Sequence, residues 1–289
     1  MVRLDGTLFT PARCSQWGGT ARDRDLQRAD GVGRIVLSGS PTGTRLEDLF
    51  ERSPIRILFP RTSGDTIEEA VLINTAGGIA GGDRLAYNVT ALANASIAVT
   101  TQAAEKVYRA LNEPARVATR LNAAEAATLA WLPQETIVFN GARLSRETEI
   151  ALSSTAQLLA LEWLVLGRAA HGEEMDSGRI TESWRVTRDG RLVWADRFRV
   201  TDETFPHLRR TALLSHCTAV GTLVYCGPDL DTRLEWLRDI APALACPCAA
   251  TSVAGLMIVR CAATSSSDLR LALRILLQQL GRVPKMWSC

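Results

Sequence analysis

The chain has 289 residues, of which 46% are hydrophobic and 22% charged, the composition of an ordinary globular protein and not of a disordered one. Its 33 Lys and Arg residues nearly balance its 31 Asp and Glu residues, which leaves a net charge of +2. So small a charge gives no field that would attract a nucleic-acid backbone or an anionic membrane. Neither is therefore expected as a partner.

The sequence shows no signal for export or for membrane insertion. The first 16 residues are polar and lack an apolar core of signal-peptide length. The longest apolar run, 158–166, has nine residues including Glu162, whereas a transmembrane helix needs roughly 20. The seven cysteines are an odd number, which fits reduced thiols better than a disulfide framework. We expect a cytoplasmic protein.

From Ile35 to about Arg199 the apolar residues form short runs of period two, separated by Gly, Asn, Asp and Pro, which is the pattern of β-strands. A hairpin is predicted over 183–199, turning at Asp189-Gly190, because this dipeptide accepts the positive φ angles of a two-residue turn. A spacing of about ten residues between runs predicts a mainly β fold, either a sandwich, a barrel or a coil of strands. The other predicted strands are 55–59, 71–73, 87–92, 97–101, 117–121, 129–132, 136–139, 147–152 and 158–166.

After Thr204 the apolar spacing becomes helical. One helix is predicted around Leu230–Ile240, with Asp229 as its cap and Pro242 as its stop. A second follows serines 265–267 and ends before Gly281. With strands at 218–226 and 256–261, the C-terminus is predicted to be β-α-β-α. Residues 1–28 are polar and are expected to form a loosely ordered extension, so that 29–289 make a single domain.

A glycine-rich loop, Asn74-Thr-Ala-Gly-Gly-Ile-Ala-Gly-Gly-Asp83, follows a predicted strand. A phosphate-binding loop of the Walker type needs Lys and then Ser or Thr after its last glycine. Here Asp83 takes that place, and its carboxylate would repel phosphate. The four glycines, Gly77, Gly78, Gly81 and Gly82, are therefore predicted to form a tight double turn or a bulge where two strands approach closely, in preference to a cradle for a ligand.

Catalytic motifs are not found in the sequence. It has no Gly-x-Ser-x-Gly or His-Glu-x-x-His motif, and its three histidines, 171, 207 and 216, do not have ligand spacing. Cys246-Pro-Cys248 lacks the second pair that a zinc site would need, so its thiols are expected to be buried or incidental.

Carboxylates are more suggestive than any motif. Glu162 lies inside an apolar strand, and a charge buried there must be paired or solvated. A salt bridge to Arg109 or Arg168 is one interpretation, and a role in passing a cation is the other. Six carboxylates lie beside a turn or within an apolar strand: Asp65, Asp83, Glu105, Glu135, Glu162 and Glu173.

Several blocks of the sequence resemble the UreD (UreH) family of urease accessory proteins. The resemblance extends from about residue 29 to Trp287. It is carried by the blocks 54–60 (Pro-Ile-Arg-Ile-Leu-Phe-Pro), 74–85, 100–109 (Thr-Thr-Gln-Ala-Ala-Glu-Lys-Val-Tyr-Arg), 131–137 (Trp-Leu-Pro-Gln-Glu-Thr-Ile) and 161–173.

The resemblance implies a right-handed helical coil of short strands with two C-terminal helices and no catalytic activity. It implies a scaffold that binds apo-urease and recruits UreF- and UreG-like partners, of which the latter hydrolyses GTP. It also implies that no cofactor is tightly bound and that Ni²⁺ passes through the interior toward the urease active site.

Two sets of site residues follow from this resemblance. Asp83, Glu162 and Glu173 are predicted to contact nickel weakly in transit. Leu273, Leu276 and Leu280 are predicted to dock the last helix inward, with Trp287 beside the UreF-like partner.

Two functions of other classes compete with the scaffold. A metal-dependent hydrolase using clustered carboxylates would normally supply several histidines at ligand spacing. A polysaccharide-binding module would need more exposed aromatic residues than a 6% aromatic content provides. Urease structural genes beside the gene for this chain would favour the scaffold over both.

Overall fold

The computed structural model describes residues 27–60, 68–168, 171–173, 175–281 and 283–287. The extension predicted for 1–28 lies, up to residue 26, outside the described residues, as does Asp65.

The described residues form seventeen strands and two helices. In chain order they are β1 (Asp30–Ser40), β2 (Gly43–Arg52), β3 (Ile55–Leu58), β4 (Glu69–Asn74), β5 (Arg84–Ala91), β6 (Ser96–Thr101), β7 (Glu105–Val107), β8 (Ala115–Ala123), β9 (Thr128–Trp131), β10 (Thr136–Val138), β11 (Arg143–Leu152), β12 (Gln157–Leu166), β13 (Arg179–Arg188), β14 (Arg191–Val200), β15 (Ala219–Cys226), α1 (Leu230–Ile240), β16 (Cys248–Val253), β17 (Leu256–Ala263) and α2 (Ser266–Leu280).

The strands form two sheets that the chain visits alternately. The first sheet has the order β14-β13-β11-β8-β5-β1-β2, and the second has the order β16-β17-β15-β12-β9-β6-β4-β3, with β10 pairing β12 and β7. Within the first sheet β1, β5, β8, β11 and β13 stack in parallel, and within the second β4, β6, β9 and β12 do so. Each turn therefore contributes one strand to each sheet. This confirms the predicted coil, a β-solenoid of about four turns.

The sequence pattern explains which faces are buried. Alternate residues of β8 point inward, among them Val117, Thr119 and Leu121, as expected of a strand with one face to solvent. On β12 nearly every residue is buried, because the first sheet covers one face and the helices cover the other. Two cores result: an inner core between the sheets and an outer core between the second sheet and the helices.

The predicted hairpin is confirmed. β13 pairs antiparallel with β14, and Asp189 and Gly190 have φ angles of 48° and 76°. The predicted β-α-β-α ending needs a correction, because β16 precedes β17 and joins it through Ala254-Gly255. The sequence of β16, Cys-Ala-Ala-Thr-Ser-Val, has few large apolar residues and is mostly exposed. It therefore lacks the alternation by which a strand is recognised.

Both helices lie where the spacing predicted. The Ser265 hydroxyl accepts a hydrogen bond from the Asp268 backbone N–H at 3.1 Å and caps α2. Asp229 precedes α1 but does not cap it with its side chain; its carboxylate accepts hydrogen bonds from Arg233 and Tyr225 instead. Among the described residues no helix is long and apolar enough to span a membrane.

Candidate functional site

The candidate site is a line of buried polar side chains between the two sheets, centred on Glu162. Glu162 is only 4% exposed, and β12 points it into the space between the sheets. One carboxylate oxygen accepts a hydrogen bond from Trp131 Nε1 at 2.9 Å. The other lies 2.8 Å from Arg146 Nη1. The predicted salt bridge is therefore present, but its partner is Arg146 and not Arg109 or Arg168.

Arg146 is shared between two carboxylates. Its Nε donates to Glu182 Oε1 at 2.6 Å, and its Nη1 also donates to the hydroxyl of Thr136 at 2.8 Å. Glu162, Arg146 and Glu182 lie on the consecutive strands β12, β11 and β13, and all three are less than 10% exposed. When both acids are ionised, this polar trio carries one negative charge more than its single guanidinium neutralises.

The pKa shifts in this line follow from burial. Burial raises the pKa of Glu162, although the charge of Arg146 opposes the shift. Burial lowers the pKa of Arg146, but the charges of Glu162 and Glu182 outweigh that effect and raise it above its ordinary value. Burial also raises the pKa of Tyr87, with smaller contributions from Glu105 and Glu162. Where these carboxyl groups are ionised, their negative charge is poorly screened in the interior and attracts a cation.

Glu162 lines two cavities. The smaller has a volume of about 40 Å³ and is bordered by Glu105, Thr119, Gln134 and Glu162, among others. The Nε2 of Gln134 and the Oγ1 of Thr119 are buried and have no hydrogen-bond partner among the described residues. Buried polar atoms of this kind call for water, and the cavity has room for it. The cavity therefore has the room and the polar lining to hold water.

The larger cavity has a volume of about 630 Å³ and is bordered by Glu162, Glu182, Arg260 and Cys248, among others. Glu162 is therefore common to the linings of the two cavities.

Glu105 lies at the other end of the smaller cavity, beside the glycine loop. Asn74 Nδ2 lies 3.2 and 3.1 Å from its two carboxylate oxygens and 3.2 Å from the carbonyl oxygen of Gly78. Burial raises the pKa of Glu105 to about 7, against the hydrogen bond from Asn74. This carboxyl group therefore changes its charge near neutral pH.

The glycine loop is a tight turn, as predicted. Gly77, Gly78 and Gly82 have φ angles of 76°, 150° and 88°. A Cβ on Gly78 would lie 2.5 Å from Tyr108, and one on Gly81 would lie 2.6 Å from Ala110. These glycines therefore allow neighbouring segments to approach closely.

Asp83 has a structural role in this turn. Its carboxylate accepts hydrogen bonds from the backbone N–H groups of Ala29 at 2.9 Å and Ala80 at 2.7 Å. Both oxygens are thereby occupied in holding the loop to the start of the coil.

Glu173 lies elsewhere, in an ion pair with Arg168 that has an Nε–Oε2 distance of 2.8 Å. The hydrogen bond from Arg168 lowers the pKa of Glu173. Across the described part of the chain, no three His, Cys, Asp or Glu side chains are grouped so as to hold a metal ion. The structure thus does not bring Asp83, Glu162 and Glu173 together, and only Glu162 belongs to the polar line.

The predicted inward docking of α2 agrees with the structure, since Leu273 and Leu276 are fully buried and Leu280 is 5% exposed. Trp287 is also buried, and its Nε1 donates to the carbonyl of Leu132 at 2.9 Å. The direct partner contact predicted for Trp287 does not fit this conformation.

Arg146 and Glu182 were not among the site residues predicted from the sequence. The signal for Arg146 was available, because Leu144, Arg146 and Ile150 share one face of β11 and the two apolar residues mark that face as buried. Glu182 is placed likewise, between Ile180 and Trp184 on β13. Sequence alternation alone could not show that Arg146 pairs with Glu162 across the two sheets and with Glu182 on the neighbouring strand.

Comparison with known proteins gives the family. A family model described as UreD urease accessory protein matches residues 29–288. The chain is 40% identical to the urease accessory protein UreD of Methylobacterium sp. (strain 4-46) over 272 residues, covering 91% of this chain and 96% of that protein. It is 41% identical to the UreD of Xanthobacter autotrophicus over 272 residues, covering 93% of each chain. The chain belongs to the UreD family of urease accessory proteins.

Proposed function

We propose that this chain is a non-catalytic urease maturation factor that acts in the cytoplasm. It binds apo-urease, recruits UreF- and UreG-like partners, and lets Ni²⁺ pass through its interior toward the urease active site. Its family membership supports the role in urease maturation. The observation that supports the nickel route is the pair of cavities whose linings share Glu162, the carboxylate that pairs with Arg146 in the polar trio.

The chemistry of the trio suits a cation in transit. Carboxylate oxygens are acceptable ligands for Ni²⁺, but one carboxylate that already bonds Trp131 and Arg146 offers little coordination. A tight site would retain the ion, whereas weak oxygen contacts and water let it exchange. Glu162 therefore attracts the cation without trapping it, and no tightly bound cofactor is required.

The alternative of a metal-dependent hydrolase has no support here. Hydrolytic metal sites need several protein ligands around an open position. Within the described ranges such a group of ligands is not found, and the relatives are named urease accessory proteins.

The test replaces Glu162 with glutamine. Glu162→Gln nearly keeps the shape and keeps one oxygen that accepts from Trp131. Its amide NH2 replaces the oxygen that faces Arg146 Nη1, and Arg146 keeps Glu182 and Thr136 as acceptors, so the trio becomes electrically balanced. Urease is expressed with this variant and its accessory partners, and the nickel content and ureolysis of the purified enzyme are measured. We expect the complex to assemble and the nickel content to fall.

Glu149→Gln is the matched control, because Glu149 is an exposed carboxylate on β11 that pairs with Arg120 at the surface. It should leave nickel loading unchanged. Normal loading in an intact Glu162→Gln complex would exclude the nickel route past Glu162. Failure of the unaltered chain to co-purify with apo-urease would contradict the scaffold function itself.

A further inference from the structure

Three cysteines of the outer core lie together, and the proposed function does not use them. The Sγ atoms of Cys248 and Cys261 are 2.6 Å apart, and the Sγ of Cys246 is 3.9 Å from that of Cys248. All three are free thiols in the structure. From the sequence, thiols 246 and 248 were predicted to be buried or incidental, and Cys261 was not associated with them; Cys246 is indeed buried.

The strand register places Cys248 and Cys261 directly opposite each other on β16 and β17. The backbone N–H of Ala262 donates to the carbonyl of Pro247 at 3.1 Å, so the two cysteines form a non-hydrogen-bonded antiparallel pair. In such a pair the Cα atoms are about 4.5 Å apart and the side chains are close. Disulfides bridge Cα separations of about 4.4–6.8 Å. The backbone can therefore accept a bond between these sulfurs without rearrangement.

We propose that Cys248 and Cys261 form a redox-active dithiol that low-molecular-weight disulfides oxidise. Cys248 is the attacking group because it is half-buried, whereas Cys261 is only 4% exposed. Cys248 and Cys261 also border the cavity of about 630 Å³, which gives a small disulfide a route to this edge of the second sheet.

The local chemistry distinguishes the roles of the two thiols. The hydrogen-bonding contacts of Cys248 with Cys261 and Cys246 lower the pKa of Cys248, against the effect of its burial. The thiolate is the nucleophile in disulfide exchange, so Cys248 attacks first. The contact with Cys248 raises the pKa of Cys261, and burial adds to that shift. Once Cys248 is in a mixed disulfide, its thiolate charge is gone, and the contact that raises the pKa of Cys261 is removed.

The exchange balances in two steps. The Cys248 thiolate attacks one sulfur of the small disulfide, whose S–S bond breaks, and one small thiol leaves. The Cys261 sulfur then loses its proton and attacks the Cys248 sulfur, and the second small thiol leaves. The protein dithiol is oxidised by two electrons, the small disulfide is reduced to two thiols, and these carry away the two protons.

The test uses the full chain with glutathione disulfide as the probe, in a Cys14→Ser/Cys289→Ser background. After incubation, acid quenching and alkylation, trypsin is used to separate residues 239–260, which contain Cys246 and Cys248, from residues 261–270, which contain Cys261. We expect these two peptides to be joined and two hydrogen masses lighter than their sum. A Cys246–Cys248 bond would stay within one peptide, and finding it in place of the joined pair would overturn the proposal.

Variants assign the roles. Cys248→Ser should slow the reaction with glutathione disulfide at least about tenfold. Cys261→Ser should accumulate a stable mixed disulfide at Cys248, while Cys246→Ser should still form the joined pair. Cys226→Ser is the control, because Cys226 is a buried free thiol outside the cluster.

If a serine variant of the cluster does not fold, the proposal is judged on the background chain, which keeps Cys246, Cys248 and Cys261. Thiols 248 and 261 that stay free while Cys226 becomes modified would overturn the proposal.

Discussion

Glu162, Arg146 and Glu182 place three charges in the interior, where each ion loses several kcal/mol of hydration. The ion pairs and the hydrogen bonds from Trp131 and to Thr136 offset that cost. Removing Arg146 would leave two buried carboxylates without a cation, whereas removing one acid leaves a matched pair. The polar trio should therefore tolerate the loss of an acid better than the loss of the base. For this reason the Glu162→Gln variant is expected to fold, so that its effect on nickel loading reports on the charge of Glu162.

Glu105 makes stability depend on pH. Its pKa is raised from 4.5 to about 7 in the folded chain, so the folded state binds more protons than the unfolded state between these values. The free energy of unfolding therefore falls as the pH rises through this window. Glu105→Gln should remove this loss of stability and raise the free energy of unfolding at pH 8 by at most about 3 kcal/mol. Urea unfolding at pH 5 and pH 8 measures the difference, and the gain should be much smaller at pH 5.

The exposed Glu125→Gln controls for the loss of one surface charge. If Glu105→Gln shifted the unfolding midpoint equally at both pH values, its effect would come from packing and not from titration. A destabilised variant at pH 8 would contradict the prediction, because it would mean that the charged form of Glu105 stabilises the fold.

Strands were predicted where one face is apolar and a turn residue follows, as at β8 and at the Asp189-Gly190 hairpin, but β1, β2 and β7 were not among the predicted strands. β16 was missed because its small residues give no alternation, and its pairing with β17 is what holds it in place. The site was only partly predictable for a similar reason. Glu162 could be found because an acid in an apolar run is conspicuous, but its contact with Arg146 joins two sheets, and strand spacing carries no information on such contacts.

Helix α2 is expected to stabilise the fold through one face. Leu276 is fully buried in the outer core, whereas Leu271 is 50% exposed. Leu276→Ala should lower the free energy of unfolding by about 2–5 kcal/mol through lost burial and a cavity, and Leu271→Ala should change it by less than about 0.5 kcal/mol. Chemical unfolding of both variants measures this contrast. Equal effects would show that α2 is not packed as described.

The coil as a whole has to protect the outer edges of its sheets. The first sheet ends in the antiparallel hairpins β1–β2 and β13–β14, so its parallel strands are bracketed at both ends. β14 is an edge strand, and an unpaired edge can recruit a strand from another molecule. Exposed arginines on β14, including Arg197 and Arg199, are a recognised way to prevent such pairing.

Replacing Arg197 and Arg199 with valine should therefore promote self-association. The β-branched side chains favour strand pairing, and the lost charges no longer repel a second edge. Arg116→Val/Arg120→Val is the matched control, because it makes the same change on β8, whose backbone is already paired on both sides by β5 and β11. Static light scattering against protein concentration measures the onset of association. We expect that onset at a clearly lower concentration for the β14 variant than for the β8 variant. Equal onsets would mean that general surface hydrophobicity, and not the open edge of β14, limits the solubility of the coil.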